Sequence, residues 1–217
     1  MNHKYTVIVI LYLMLGTGLA LADTPSAEQV VKTTADQVIA RLKAEREQLD
    51  ARPELIYDLV NEMIIPHFDF HSMSKWVLGL NWRQATEDQR QQFTAEFRTL
   101  LVRTYAKTLL EYSDNEISYL PVQNDPGSNL VQVKTEIQQD GTSKIPINYS
   151  MHISGGEWKV VDVTIDGISL VSTYRGSFAA EIRNNGIEML ITKLVNKNTN
   201  IVNSKVTSSD TTGNETN

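Results

Sequence analysis

The chain has 217 residues, with 26 acidic side chains against 20 basic ones and no cysteine. An acidic balance argues against a nucleic-acid binder, which needs a basic face. The absence of cysteine excludes a disulfide framework, so the fold must be held by its apolar core, and the length suits one domain with a sizeable interior.

Lys4 precedes an apolar run over residues 5–15, and Ala20-Leu21-Ala22 ends the segment with a small-x-small pattern. This layout predicts a secretory signal peptide over residues 1–22, cleaved before Asp23. A retained membrane anchor fits less well, because the run is short, is interrupted by Gly16 and Gly18, and has no basic stop-transfer flank. Export without cysteine points to a bacterial periplasm, and with no cysteine after the signal a lipidated N-terminus is not expected. The folded domain is expected over residues 23–197.

Residues 26–50 read as a helix, with Val30, Val38, Leu42 and Leu49 on one face. Pro53 opens the next helix, whose stripe is Leu55, Ile56, Leu59, Met63 and Ile64, and Pro66 ends it. A short helical piece around residues 73–80 follows. Thr86 and Gln89 then form a capping-box pair that opens a long helix to about Tyr112, with Phe93, Phe97, Leu100, Thr104 and Tyr105 inward. Past Ser113 the period changes to alternation. Residues 116–122 form a first strand. In the second, Val131, Val133, Thr135 and Ile137 share one face, and Gln139-Asp140-Gly141 marks a turn. The third strand puts Ile145, Ile147, Tyr149, Met151 and Ile153 on one face, and Gly155-Gly156 turns it into the fourth. That fourth strand, from Trp158, places Val160 on one face and Val161, Val163 and Ile165 on the other, a two-sided pattern that requires cover on both sides. Past Asp166-Gly167 a second apolar run holds Ile168, Leu170 and Val171. A last helix carries Phe178, Ile182, Leu190 and Leu194, with a kink at Gly186, and residues 198–217 read as a polar, disordered tail. Helices first and a curled four-stranded antiparallel sheet afterwards define an α+β domain.

Few residues invite chemistry. His67 and His71 are four apart, but Pro66 breaks the helix that would align them, so no metal site is expected and Asp69 reads as a helix cap. Ser169 lacks the glycine pattern of a nucleophile elbow and has no histidine placed to activate it. Asp162, inside the apolar fourth strand, needs a partner, for which Arg175 is a candidate; the competing reading makes it a buried base. Trp76, Trp82, Phe93, Phe97, Tyr105, Tyr149 and Tyr174 are core aromatics, yet the inward positions exceed what a thin two-layer domain fills. The exposed cations Lys75, Arg83, Arg103 and Lys107 mark either a solvated helix face or a surface for acidic partners.

Two blocks carry a family resemblance: DFHSMSKWVLGLNWRQATEDQRQQFTAEFRTLLVRTYAKTLLEY over residues 69–112, and WKVVDVTIDGISLVSTYRGSF over residues 158–178. Their most specific pieces are Asp69-Phe70, Leu78-Gly79, Trp82-Arg83, the helix start at Gln89, Tyr105, and the run from Trp158 through Gly167 to Tyr174-Arg175. The chain from about Pro53 to Leu194 resembles the MlaC family of periplasmic phospholipid shuttles of the toluene-tolerance type. The polar tail after Asn198 is longer than that family leads one to expect.

The resemblance implies a cystatin-like or NTF2-like α+β fold enclosing a deep apolar cavity between curled sheet and helices. It implies a diacyl phospholipid with buried tails as ligand, and no catalytic residue, metal or cofactor. It also implies a monomer whose partners are an outer-membrane lipoprotein complex and an inner-membrane ABC transporter complex, serving outer-membrane lipid asymmetry. With that implication, Leu101, Tyr105, Val133, Ile147, Tyr149, Met151 and Val163 are the expected lipid-lining residues. The alternative is an NTF2-like periplasmic enzyme acting on a small substrate, with Asp162 as base.

Overall fold

The computed structural model describes residues 25–111, 114–124, 129–138 and 144–209, the side chains of 123, 124 and 200–209 excepted. The signal peptide expected over residues 1–22 and the turn at Gln139-Asp140-Gly141 lie outside these residues. No helix among the described residues is long and apolar enough to cross a membrane.

Helix α1 (Ala27–Ala44) begins where Ser26 and Gln29 exchange side-chain bonds with each other's backbone N–H, satisfying two donors that a helix start leaves orphaned. The continuous helix expected over residues 26–50 is interrupted at Glu45, and α2 (Arg46–Ala51) follows. Pro53 starts a turn of 3-10 helix before α3 (Ile56–Met63), and Pro66 sits in a second such turn (Ile65–His67) just past the end of α3. Asp69 caps α4 (Phe70–Leu78), accepting the Ser72 N–H at 2.9 Å, and the four-residue α5 (Asn81–Gln84) leads on. The long α6 (Glu87–Glu111) opens on the expected box, with Thr86 and Gln89 bonding reciprocally at 3.0 and 3.2 Å.

Helix α6 is central because it carries two apolar stripes. Phe93, Phe97, Leu100 and Leu101 recur at helical spacing and pack with Met73, Val77 and Leu78 of α4 and with Phe178, Leu190 and Leu194 of the final helix. Phe93 and Phe97 stack at 5.7 Å, and Phe178 meets both rings edge-on. The second stripe, Val102 and Ala106, packs with Val38 and Leu42 of α1 and Ile56, Leu59 and Val60 of α3.

The sheet is an antiparallel meander in chain order: β1 (Glu116–Asn124), β2 (Val131–Gln138), β3 (Ile145–Ser154), β4 (Glu157–Ile165) and β5 (Ile168–Ser169). The four expected strands are thus joined by a two-residue fifth. It follows the turn at Asp166-Gly167, where both residues take positive φ (49° and 79°), a conformation glycine adopts freely and aspartate tolerates.

The two-sided reading of β4 is corrected by the register. Ser150 pairs with Asp162 and Met151 with Val160, so Val161 is an extra residue, a β-bulge. Beyond the bulge the alternation is reset, and Val160 and Trp158 join Val163 and Ile165 in one apolar cluster instead of opposing them. The second apolar run is not uniformly buried either, since Ile168 is 63% exposed. The expected pairing of Asp162 with Arg175 is overturned too. Asp162 accepts the Ser169 hydroxyl at 2.6 Å and the Val171 N–H at 3.0 Å, tying β4 to the start of the last helix, α7 (Leu170–Ser209). A backbone donor and a short hydroxyl bond satisfy this carboxylate at lower cost than a long cation reaching across. Arg175 instead lies against Gly79, where a Cβ would come 3.1 Å from its guanidinium.

Gly186 breaks the helical dihedrals inside α7 (φ 82°, ψ 165°), the expected kink. Past it the helix runs to Ser209 and is held at Asn198. Its amide donates to the backbone carbonyl and carboxylate of Glu96, and Arg103 donates to its carbonyl, so α7 is pinned to α6 one turn past Leu194. Residues 210–217 lie outside the described residues.

The stacked aromatic group predicts a sharp cost for its truncation. Phe97→Ala should lower unfolding free energy by about 3–5 kcal/mol in a urea titration, as for other fully buried phenylalanines. A loss below about 1 kcal/mol would show that the cluster collapses around the gap.

Candidate functional site

The apolar interior is divided into three clusters that share no buried residue. Compact domains usually have one contiguous core with small satellites. Here the helical cluster around Phe93 and Phe97 and the sheet cluster around Val133 and Met151 are joined through a shared neighbour, the half-buried Phe68.

The seven residues expected to line a lipid cavity divide across this seam. Val133, Ile147, Tyr149, Met151 and Val163 are together in the sheet cluster, while Leu101 and Tyr105 belong to the helical one. The register puts the sheet residues on one face, with Val133 opposite Tyr149 and Tyr149 opposite Val163. Val133 and Met151 have no exposed surface and pack in the cluster with Ala27 and Val31 of α1. Ile147, Tyr149 and their neighbour Ile165 are only half-buried, although β3 is an interior strand. Helix α1 therefore seals one part of the inner face and leaves another open.

Tyrosines border the seam on both sides. Tyr149 lies deep enough that burial pushes its phenol above the ordinary value, partly offset by the Thr135 hydroxyl, yet it keeps accessible surface. Tyr119, on the same face, is pushed up to about 12 by burial and by Asp36 and Tyr149, and its hydroxyl is buried with no hydrogen-bond partner. Across the seam, Tyr174 is likewise raised to about 12, by burial and then by Tyr105, to which it is hydrogen-bonded. Neutral phenols beside aliphatic surface make a wall that accepts hydrocarbon and still offers hydroxyls to an ester or phosphate. The expected lining set did not include Tyr119, Ile165 or Phe68. Tyr119 and Ile165 could have been found from strand alternation, but Phe68 becomes visible only when the strands are placed.

A groove of about 540 Å³ lies on the other side of Phe68, between the start of α4 and the first half of α6. Its floor is Ile65, Pro66, Phe68 and Phe70, and Arg90, Arg98 and Lys159 stand along it.

The other sequence candidates have local duties. Ser169 donates to Asp162 and accepts the Ser172 N–H at 3.0 Å, so it is a cap. His67 sits in the 3-10 turn, where burial and then Lys159 hold its pKa below the ordinary value, and His71 meets Trp82 edge-on at 5.0 Å. Among the described residues no three histidine or carboxylate side chains are grouped to hold a metal ion. Of the basic set, Arg103 is occupied at Asn198, while Lys75, Arg83 and Lys107 are exposed.

The family model described as MlaC protein matches residues 32–196. The chain belongs to the MlaC family. Among its MlaC relatives, the toluene tolerance protein ttg2D of Pseudomonas putida is 31% identical over 77% of this chain and 77% of its own length. The intermembrane phospholipid transport system binding protein MlaC of Haemophilus influenzae is 24% identical over 85% of this chain and 87% of its own. A solved structure of a phospholipid-binding protein from Ralstonia solanacearum, in complex with a phospholipid, superposes with a TM-score of 0.75 at 30% identity. It covers 82% of this chain and 99% of that one. The mixed helix and open antiparallel sheet are thus the architecture of a phospholipid-binding protein.

Asp69 ties this architecture together and is pH-sensitive. Besides capping α4 it meets Nε2 of His152 on β3 at 2.9 Å and the Ser72 hydroxyl at 2.8 Å. Burial alone would raise its pKa, but the Ser72 N–H and hydroxyl and then His152 outweigh it and hold the carboxyl below the ordinary value. A lowered folded-state pKa contributes stability above the unfolded value that is lost as pH falls through the folded one. Wild type should therefore exceed Asp69→Asn by about 1 kcal/mol near pH 6. The difference should hold down to about pH 4 and shrink below it. Urea unfolding at stepped pH measures this; a difference unchanged down to pH 2 would remove the ionised carboxylate as its source.

Proposed function

We propose that this protein is a periplasmic phospholipid carrier that moves lipid between an outer-membrane lipoprotein complex and an inner-membrane ABC transporter, and so maintains outer-membrane lipid asymmetry. The observation that carries the reading is the open stretch of apolar inner face at Ile147, Tyr149 and Ile165, in a chain whose Ralstonia neighbour is described with a phospholipid bound. The names of the Haemophilus and Pseudomonas relatives support the transport role.

The physics of the cargo explains why a carrier is needed. Each buried methylene is worth about 0.8 kcal/mol. Two acyl chains of about fifteen carbons thus represent roughly 20 kcal/mol that keeps a phospholipid out of water. A bilayer shelters the same chains equally well, so exchange between membrane and protein is close to balanced and partner docking sets its direction. Binding and release involve no bond making. Asp162, the base required by the enzymatic alternative, is spent on capping α7.

In this reading the tails lie in the seam, with Ile147, Tyr149 and Val163 on one side and Leu101 and Tyr105 on the other. Val133 and Met151 support the wall by holding α1. Native mass spectrometry of protein purified without detergent should show one diacyl phospholipid per chain. Ile147→Trp combined with Tyr149→Trp should leave a folded protein, by circular dichroism, with most of that lipid lost. Full lipid content in the double variant would take these residues out of the binding wall, and no lipid in the wild type would overturn the carrier reading itself.

A further inference from the structure

The groove on the outer side of Phe68 lies apart from the seam, and it is a built surface. Its floor is one run of chain, Ile65, Pro66, Phe68 and Phe70, of which Pro66 is exposed and the others half-buried. That run is fixed to the sheet, since Phe68 bridges at its backbone to Val160 and Lys159 donates to the Pro66 carbonyl at 2.8 Å. The facing wall is a stripe of α6, Arg90, Gln91, Thr94, Ala95 and Arg98, which helical spacing puts on one side. Its volume of about 540 Å³ far exceeds the share of one water molecule, about 30 Å³, so a small ion would leave it unfilled.

The cations along the groove are unequally engaged. Arg90 donates to the Trp82 carbonyl at 2.8 Å and faces Glu87 at 3.6 Å, and Lys159 is paired with Glu157 at 2.6 Å. Arg98 meets no carboxylate within ion-pair distance among the described residues, and donates to the neutral amide oxygen of Asn61 at 2.9 Å. Asn61 is itself oriented by donating to the Tyr57 carbonyl at 2.8 Å, so α3 steadies the guanidinium. A guanidinium held in this way keeps N–H donors in reserve, in a fork that fits one carboxylate through two parallel bonds.

A second, independent observation is Thr94, one helical turn before Arg98 on the same face. Thr99 and Thr104 return their hydroxyls to the carbonyls four residues back, at 2.9 and 2.7 Å. The Thr94 hydroxyl does not, and is buried without a partner. Such an atom marks a place where a missing polar partner belongs.

An apolar floor beside a single uncompensated cation describes the occupant. A phosphate monoester, with a charge of about −1.5 to −2 at pH 7, calls for a second available cation, which Arg90 and Lys159 do not supply. The net charge of −6 disfavours nucleic acid and anionic bilayers. We infer that the groove docks an acidic segment of a protein partner, with a carboxylate between Arg98 and Thr94 and a neighbouring apolar side chain on Ile65, Phe68 and Phe70. The inference rests on the carrier reading only in that docking there sets the direction of exchange.

The test titrates the isotope-labelled full chain with acetyl-Gly-Leu-Asp-Leu-Glu-Leu-Gly-amide, and with the same peptide carrying Asn and Gln in place of its acids, following amide signals by NMR. Shifts should centre on residues 65–70 and 90–98. Binding should be roughly tenfold weaker for the neutral peptide and for Arg98→Gln, and about threefold weaker for Thr94→Val. Lipid content of Arg98→Gln by native mass spectrometry should match wild type. Shifts centred elsewhere, equal binding of the neutral peptide, unchanged binding by a folded Arg98→Gln variant, or no shift at about 1 mM peptide would each overturn the proposal. Inorganic phosphate shifting the groove residues while the peptide does not would make it a small-anion site, and vesicles of phosphatidylglycerol that bind wild type but not Arg98→Gln would make it a membrane contact; either outcome overturns it too. A wild type without lipid would instead sink the carrier reading, whatever the peptide does.

Discussion

Three successive residues of β4 join the two layers of this protein. The Val160 carbonyl accepts the N–H of Asp69, which anchors the start of α4; Val161 is the bulge residue; and Asp162 caps the start of α7. Val160 reaches α4 through its carbonyl and Asp162 reaches α7 through its side chain, and the residue between them is left without a partner on β3. The bulge returns Trp158 and Val160 to the face already occupied by Val163 and Ile165.

From that joint follows the uneven covering of the sheet. Helices α4 and α7 are held at fixed points, α1 closes the face at Val133 and Met151, and the stretch at Ile147, Tyr149 and Ile165 is left partly accessible. Close packing is the default of protein interiors, because voids forfeit contacts that cost nothing to make. In the proposed carrier role, the apolar face left open is a surface completed by the cargo. Tyr105 with Tyr174 and Tyr119 with Tyr149 place hydroxyls along an otherwise hydrocarbon wall.

Much of this was legible in the residues. The capping box at Thr86, the Asp69 cap, the strand pairing of residues 131–137 with 145–153, the turn at Gly155-Gly156 and the break at Gly186 all depend on local rules, and the structure has them. Two readings failed for one common reason. The two faces assigned to β4 and the partner assigned to Asp162 each turned on contacts remote in sequence: a neighbour strand and a helix start. The candidate site shows the same division. Alternation put Val133 on one face of β2 and Ile147, Tyr149 and Met151 on one face of β3, but could not say that Val133 and Met151 lose all exposed surface while Ile147 and Tyr149 keep some.

The sequence by itself determined the elements, their apolar faces and, through the two blocks around Trp82 and Trp158, the family. The elements follow from spacing, cap chemistry and glycine positions, all set within a few residues along the chain, and the family from the resemblance those two blocks carry. Tertiary structure alone decided where the faces are left uncovered, that a bulge accounts for the two-sided strand, and that Phe68 stands between an inner seam and an outer groove. A strand's hydrophobic pattern records that a face avoids water. It does not record whether another helix or a passing ligand removes that water, because both leave the same pattern behind.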